Sequence, residues 1–270
     1  FGETGDVTPL ALSTRVDGLP GVLDFAFRAT VLDTLTKGAG TDEVAALFKA
    51  DALYEGGEDA AMQLPTFISN HDIGRFGHYA RANRRGESDA VILQRSLLAH
   101  AMMFTLRGVP VIYAGDEQGF AGDGSDQDAR EDMFPSRVAS YNDNVLLGTQ
   151  ATTAVSNFDR SHPLYVGIAE LSALRKEHAA LRRGKQVVRN YSEQLGLFAV
   201  SRIDPQTGRE ILVAFNTSTE RLEMNVEVDA RTRSFKSLKG SCAPRPTAPG
   251  SYRVTLQPLS YLICGAQDET

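Results

Sequence analysis

Short apolar runs alternate with longer helical patterns over the first two thirds of the chain. Residues 22–27 (V-L-D-F-A-F) read as a strand turning into a helix that runs to about Thr34. Residues 41–49 are helix-like, with Thr41 or Asp42 as N-cap. Residues 67–69 form a short buried strand that stops at three polar residues, Asn70, His71 and Asp72. The clearest helix spans 88–106: Ser88 can cap it, and Val91, Leu93, Leu97, Leu98, Met102 and Leu106 supply a broad apolar face. Gly108 stops it as a residue past the C-cap would. The following run 109–114 (V-P-V-I-Y-A) is nearly all apolar, the mark of a strand buried on both faces. A polar loop rich in Gly and Asp occupies 115–130, and a helix is expected over 162–183, with Ile168, Leu171, Leu174 and Leu181 at helical spacing.

The pattern changes near Leu181. Segments 186–188, 197–202, 210–215, 222–228, 251–256 and 260–264 are short and rich in β-branched or aromatic residues, with turn signals such as D-P-Q-T-G at 204–208 between them. Strand, helix, strand, helix with polar residues at strand ends is the βα-repeat signature. There are too few units for an eight-stranded barrel. The expected fold is α/β: a partial (β/α)8 barrel over 1–183, followed by an all-β sandwich domain over 184–270.

With 270 residues, 42% hydrophobic and 23% charged, the composition is that of an ordinary globular protein. A net charge of −6 and a pI near 5.4 recommend neither nucleic acid nor an anionic membrane as partner. No apolar run approaches bilayer length. Cys242 and Cys264 are the only cysteines; one disulfide or two free buried thiols fit equally well. Phe1 is not an initiator Met, so a truncated chain is expected, with any targeting signal upstream.

Chemistry concentrates at three strand ends: F-G-E at 1–3, N-H-D at 70–72 and G-D-E at 115–117. Carboxylates facing one pocket from different strands suit glycoside hydrolysis, where one protonates the leaving oxygen and another stabilises or attacks the anomeric carbon. A neutral imidazole beside them can bond a sugar hydroxyl. A plain turn is the competing reading of N-H-D, because Asn and Asp favour turns.

These segments resemble the α-amylase superfamily, glycoside hydrolase family 13. F-x-x-N-H-D (67–72) is similar to that family's segment after strand seven, and G-V-P-V-I-Y-A-G-D-E-Q-G (108–119) to its eighth strand and turn. F-G-E with the later V-L-D-F-A-F is similar to strands five and six, and L-V-A-F-N-T-S with L-Q-P-L-S-Y to the terminal β-sandwich. The resemblance implies that Glu3 is the general acid/base and that Asp72 holds substrate and stabilises the oxocarbenium-like transition state. It implies further that His71 contacts sugar hydroxyls. Asn70 and Arg75 are expected beside it as substrate-binding residues, with contact to the catalytic carboxylates, a chloride ion or a plain surface position as the competing readings of Arg75. The implied activity is that of a retaining α-glycosidase on α-1,4-glucan such as starch or maltooligosaccharides. Such a mechanism needs a carboxylate nucleophile about 5–5.5 Å from the acid. The family carries it on strand four, so the present chain is expected to lack it and to be inactive alone. No cofactor and no metal ligand are expected in this segment; Ca2+ would be held, if at all, through ligands upstream of Phe1. A monomeric, secreted or periplasmic protein is expected.

Asp116 and Glu117 are expected to shape the rim of the site rather than act on substrate. Asp123, Asp126 and Asp128 are expected to form a solvated loop, since the six or more oxygens that calcium takes are not evident. Tyr54, Phe76, Tyr79 and Phe120 are expected in the core. Two rival functions share these residues: an α-glucan transglycosylase or isomerising relative, and a non-catalytic carbohydrate-binding member. The second sits poorly with retention of both Glu3 and Asp72, two carboxylates that repel each other.

Overall fold

The computed structural model describes residues 6–267; Glu3 therefore lies outside the described residues. The chain runs through α1 (Val7–Arg15), α2 (Phe25–Leu32), α3 (Thr41–Lys49), α4 (Gly57–Ala61), β1 (Pro65–Thr66), α5 (Phe76–Asn83), α6 (Asp89–Thr105), β2 (Val109–Pro110), α7 (Ala139–Asn142), α8 (Pro163–Glu177) and α9 (Ala179–Arg183). Seven strands follow: β3 (Lys185–Asn190), β4 (Leu197–Ile203), β5 (Glu210–Asn216), β6 (Leu222–Glu227), β7 (Phe235–Lys239), β8 (Ser251–Leu256) and β9 (Tyr261–Ala266). The first part is thus a mixed α/β region, and the second is an antiparallel β region.

β1 and β2 pair in parallel, Pro65 opposite Val109 and Thr66 opposite Pro110, with α5 and α6 as the crossover. This βαβ unit is what the alternating pattern predicts, but its ladder is short. The strand expected at 67–69 lies two residues earlier, at 65–66; residues 67–69 are buried but unpaired, with a bend at Ile68. The run 109–114 also departs from expectation. Val109, Val111 and Ile112 are 48%, 45% and 38% exposed, not covered on both faces. Among the described residues β2 pairs only with β1, so one side of that apolar strand is open.

Further corrections come at element ends. Thr41 does not cap α3. Gly40 occupies the cap position, while the Thr41 hydroxyl donates to the Leu197 carbonyl (2.7 Å) and accepts from the Ser192 amide (2.8 Å). The helix expected over 162–183 is interrupted at His178, whose extended backbone separates α8 from α9. β7 was not foreseen: F-K-S-L-K has no β-branched residue, yet Phe235 is buried and the strand pairs with β9.

The β region forms a five-stranded sheet, β3-β4-β5-β9-β7, facing the two-stranded β6-β8 sheet. The period of two sorts its side chains. Leu197, Ala199, Leu212, Ala214 and Cys264 pack with Val226, Tyr252, Val254 and Leu256 of the opposing sheet. The alternate residues Phe198, Val200, Ile211, Val213, Phe215 and Ile263 join the core formed by α2, α3, α6 and α8. Polar contacts reinforce the join. Buried Arg202 donates to the carbonyls of Thr105 (2.9 Å) and Gly184 (3.0 Å), and Arg175 donates to those of Phe104 (2.8 Å) and Gly108 (2.6 Å). Burial holds the Arg202 guanidinium down to about 9. Cys242 and Cys264 are joined by a disulfide, settling the pair left open by sequence.

Candidate active site

Strand β1 delivers the chain to residue 70, where it must reverse, and the side chain of Asn70 supplies the turn. Its Oδ1 accepts from the amides of Asp72 and Ile73, both at 2.9 Å, an Asx turn of the kind short polar side chains make. Asn70 and Gly74 then exchange backbone hydrogen bonds of 3.3 and 3.2 Å, closing the loop on itself. Gly74 sits at φ 84°, a left-handed conformation that glycine adopts without steric cost. The carboxamide oxygen of Asn70 is therefore committed to the turn.

That turn projects His71 and Asp72 outward. His71 Nε2 lies 3.3 Å from Asp72 Oδ1, and the two side chains are 59% and 60% exposed. An imidazole beside a carboxylate, both open to solvent at the carboxyl end of a parallel strand, can hydrogen-bond adjacent hydroxyls and face a developing positive charge. A cleft of about 470 Å³ runs beside the turn, lined by Phe25, Arg28, Ile73, Tyr79, Asn83 and Ser125. A larger cleft of about 1070 Å³ opens between α3 and β3 and contains none of these strand-end residues.

Arg75 follows the turn and points the other way. It is wholly buried, with Nε donating to Glu131 (2.5 Å), Nη1 to Asp116 (2.9 Å) and Nη2 to the Ala114 carbonyl (3.0 Å). Its guanidinium carbon lies 4.3 Å from the Tyr113 ring centroid and 5.1 Å from that of Phe120. The structure thus brings together Asn70, His71, Asp72 and Arg75 in sequence order but on two levels: the first three above, the arginine beneath.

The residues after β2 complete the lower level. Glu117 folds back to accept from the Gly115 amide (2.9 Å), and buried Asp116 pairs with Arg75. In the loop beyond, Asp126 pairs with Arg130, and Asp123 accepts from Asn144 at 2.9 Å. Among the described residues no group of three or more His, Cys, Asp or Glu side chains is placed to hold a metal ion. Tyr54, Phe76 and Phe120 are buried, as expected of core aromatics, whereas Tyr79 is half-buried and lines the smaller cleft.

Sequence reasoning missed Glu131. Its carboxylate is fully buried, with Oε2 on Arg75 and Oε1 accepting from the Gly122 amide at 3.0 Å. Burial pushes this carboxyl up, against the lowering pull of Arg75. Nothing in the surrounding A-R-E-D-M marks it out, because its partner is 56 residues away in sequence.

The family described as alpha amylase, catalytic domain, matches residues 6–184. The α-amylase of Streptomyces lividans is 38% identical over 269 residues, 98% of this chain and 29% of that protein. A cyclomaltodextrin glucanotransferase of Bacillus sp. (strain 1-1) is 23% identical over 97% of this chain and 35% of its own length. Among solved structures, the Anoxybacillus α-amylase superposes with a TM-score of 0.74 at 20% identity, covering 99% of this chain and 51% of that one. An α-amylase of Geobacillus thermoleovorans complexed with acarbose gives 0.74 at 19% identity, covering 99% and 52%. The chain thus spans about a third to a half of the length of these proteins.

Proposed function

The chain belongs to the α-amylase family, and on that premise we propose that it carries the sugar-gripping end of a retaining α-glycosidase acting on α-1,4-glucan. The observation that carries this reading is the His71–Asp72 pair, held outward at the carboxyl end of β1 by the Asn70 turn. In the proposed mechanism Asp72 binds hydroxyls of a distorted sugar and stabilises positive charge at the anomeric carbon as the glycosidic bond breaks. His71 bonds a neighbouring hydroxyl. Glu3 protonates the departing oxygen and then activates water. Arg75 acts from beneath, holding the floor of the turn. The retaining route also needs an attacking carboxylate, for which strand-end segments 70–75 and 115–117 offer no further candidate. We propose that residues 1–270 alone do not turn over glucan.

Support for the substrate class comes from relatives: the solved structures of similar fold include an α-amylase complexed with acarbose and another enzyme complexed with maltose. The Cys242–Cys264 disulfide supports a secreted or periplasmic location, where such bonds persist. The test is Asp72→Asn in the natural protein, assayed on maltooligosaccharides. A loss of kcat of about 10²-fold or more is expected with the fold retained, as for removal of a transition-state contact; near-normal turnover would sink the assignment. Similarity to glucanotransferases favours a second reading, transfer to a sugar acceptor in place of water. Product analysis separates the two, since lengthened or cyclised glucans appear only with transfer.

A further inference from the structure

We propose that Glu131 is a positioning residue that fixes the turn bearing His71 and Asp72 by anchoring the loop 122–128 against it; this rests on the reading of Asp72 as the sugar-gripping carboxylate. The connection is continuous. Glu131 takes the Arg75 Nε–H on one oxygen (2.5 Å) and the Gly122 N–H on the other (3.0 Å). Gly122 is also held through its carbonyl, which accepts from His78 Nδ1 at 3.2 Å. From that base the loop closes on itself, with the Asp123 amide on the Asp128 carbonyl (3.1 Å) and the Asp128 amide on the Ser125 carbonyl (3.2 Å). At its tip the Asp126 amide donates to the carbonyl of Asp72 at 3.1 Å. One carboxylate thus joins the residue after the turn to the base of the loop that grips the turn's centre.

Stability alone does not explain a charge at this position. Arg75 already has Asp116, so Glu131 makes the buried cluster one positive against two negative charges. A surplus buried carboxylate is costly, and a neutral acceptor would balance the cluster better. What glutamate supplies is two acceptor oxygens in one plane, each facing a donor. Glutamine has one acceptor; its amide nitrogen would face the N–H of either Arg75 or Gly122 and push one of them away.

The experiment uses Glu131→Gln and Glu131→Asp in the natural protein, with Asp72→Asn alongside. Glu131→Gln should lower kcat on maltooligosaccharides by about 10- to 100-fold with little change in KM, because a misplaced grip is felt mainly in the transition state. Amides of 72–74 and 122–128 should exchange faster with solvent, while those of α6 stay unchanged. Glu131→Asp, which keeps both acceptor oxygens, should recover part of the activity and protection. Wild-type kcat in Glu131→Gln overturns the proposal. So does exchange that rises uniformly across α6 and the loop, which marks a purely structural role. If Glu131→Gln does not fold, Glu131→Asp decides by the same readouts: selective loosening of 72–74 and 122–128 supports the proposal, and unaltered kcat and exchange overturn it. Should Asp72→Asn keep full activity, the catalytic reading fails instead, and the exchange pattern still decides whether Glu131 holds the turn.

Discussion

Gly74 packs its α-carbon against the carbonyl of Gly124 so closely that a Cβ built on Gly74 would overlap that oxygen. The contact locks the strand-end turn to the loop 122–128, and two properties of glycine permit it: no side chain, and free access to φ 84°. Gly74→Ala meets both penalties at once. The left-handed conformation costs about 1–2 kcal/mol for a residue with a Cβ, and relieving the overlap must move one of the two loops. A fall in thermal midpoint together with a loss of activity out of proportion to it is expected. An Ala variant indistinguishable in both would contradict the packing described.

Removing Arg75 strands two carboxylates. Arg75→Met keeps much of the volume between Tyr113 and Phe120 but leaves Asp116 and Glu131 buried without their shared cation. Breaking a buried pair in this way costs about 3–5 kcal/mol. Urea unfolding should show it as a lowered midpoint. The double variant Arg75→Met/Glu131→Gln should lose less than the sum of the two single changes, because the partners share one network.

Acid should loosen the fold through His100. Its Nδ1 donates to the Ser96 carbonyl at 2.7 Å inside α6, and the ring is fully buried. Burial lowers its pKa from 6.5, although Asp116 and Glu117 pull the other way. For a base with a depressed folded pKa, the unfolded chain takes up the proton first. Stability is therefore complete above about pH 6.5 and falls as pH drops below it, by at most about 1.4 kcal/mol per pH unit for one proton. Burial lowers His178 as well, with the same sign. Unfolding followed between pH 7 and 5 should show a shallower loss of stability with acid in His100→Leu, and a shallower one still when His178→Asn is added. An unchanged slope in the double variant would exclude both histidines as its source.

The Cys242–Cys264 bridge closes a loop of 22 residues that ends on β9, a central strand of the larger sheet. Loop-closure entropy for that length corresponds to about 3 kcal/mol. Unfolding in urea with and without reductant should show a loss of unfolding free energy of that order and a lower midpoint, matched by Cys242→Ser/Cys264→Ser without reductant. Equal midpoints would mean that the bridge is energetically idle.

Local order is what the sequence makes legible. The N-H-D turn stands out because an apolar run ends in three polar residues, and α6 stands out as a long apolar helix, although from Leu98 to Thr105 it is buried on every side and not along one face. The β-branched and aromatic residues of β4 and β5 announce strands, and their unbroken apolar runs go with burial on both faces. Non-local partners leave no such mark. Thr41 looks like a cap because caps are local, yet its hydroxyl spends itself on Leu197, 156 residues away. Glu131 looks like one more acidic loop residue until Arg75 is brought beside it. The openness of Val109, Val111 and Ile112 is likewise invisible in an apolar run, since composition records what a strand can bury and not what lies against it.

Rings run in series from the helices into the sheet: Phe48 to Phe198 at 6.2 Å, Phe198 to Phe215 at 6.3 Å, Phe215 to Tyr261 at 6.4 Å. Anyone wishing to treat the two regions as interchangeable modules, joined at Gly184, would find the seam in the chain but not in the interior. A sheet transplanted without α3 would arrive with Phe198 and Phe215 facing water, and a helical region left behind would keep an oily socket shaped for them. A workable exchange has to move Phe48 with the sheet, so the natural unit of recombination is larger than the strand pattern suggests.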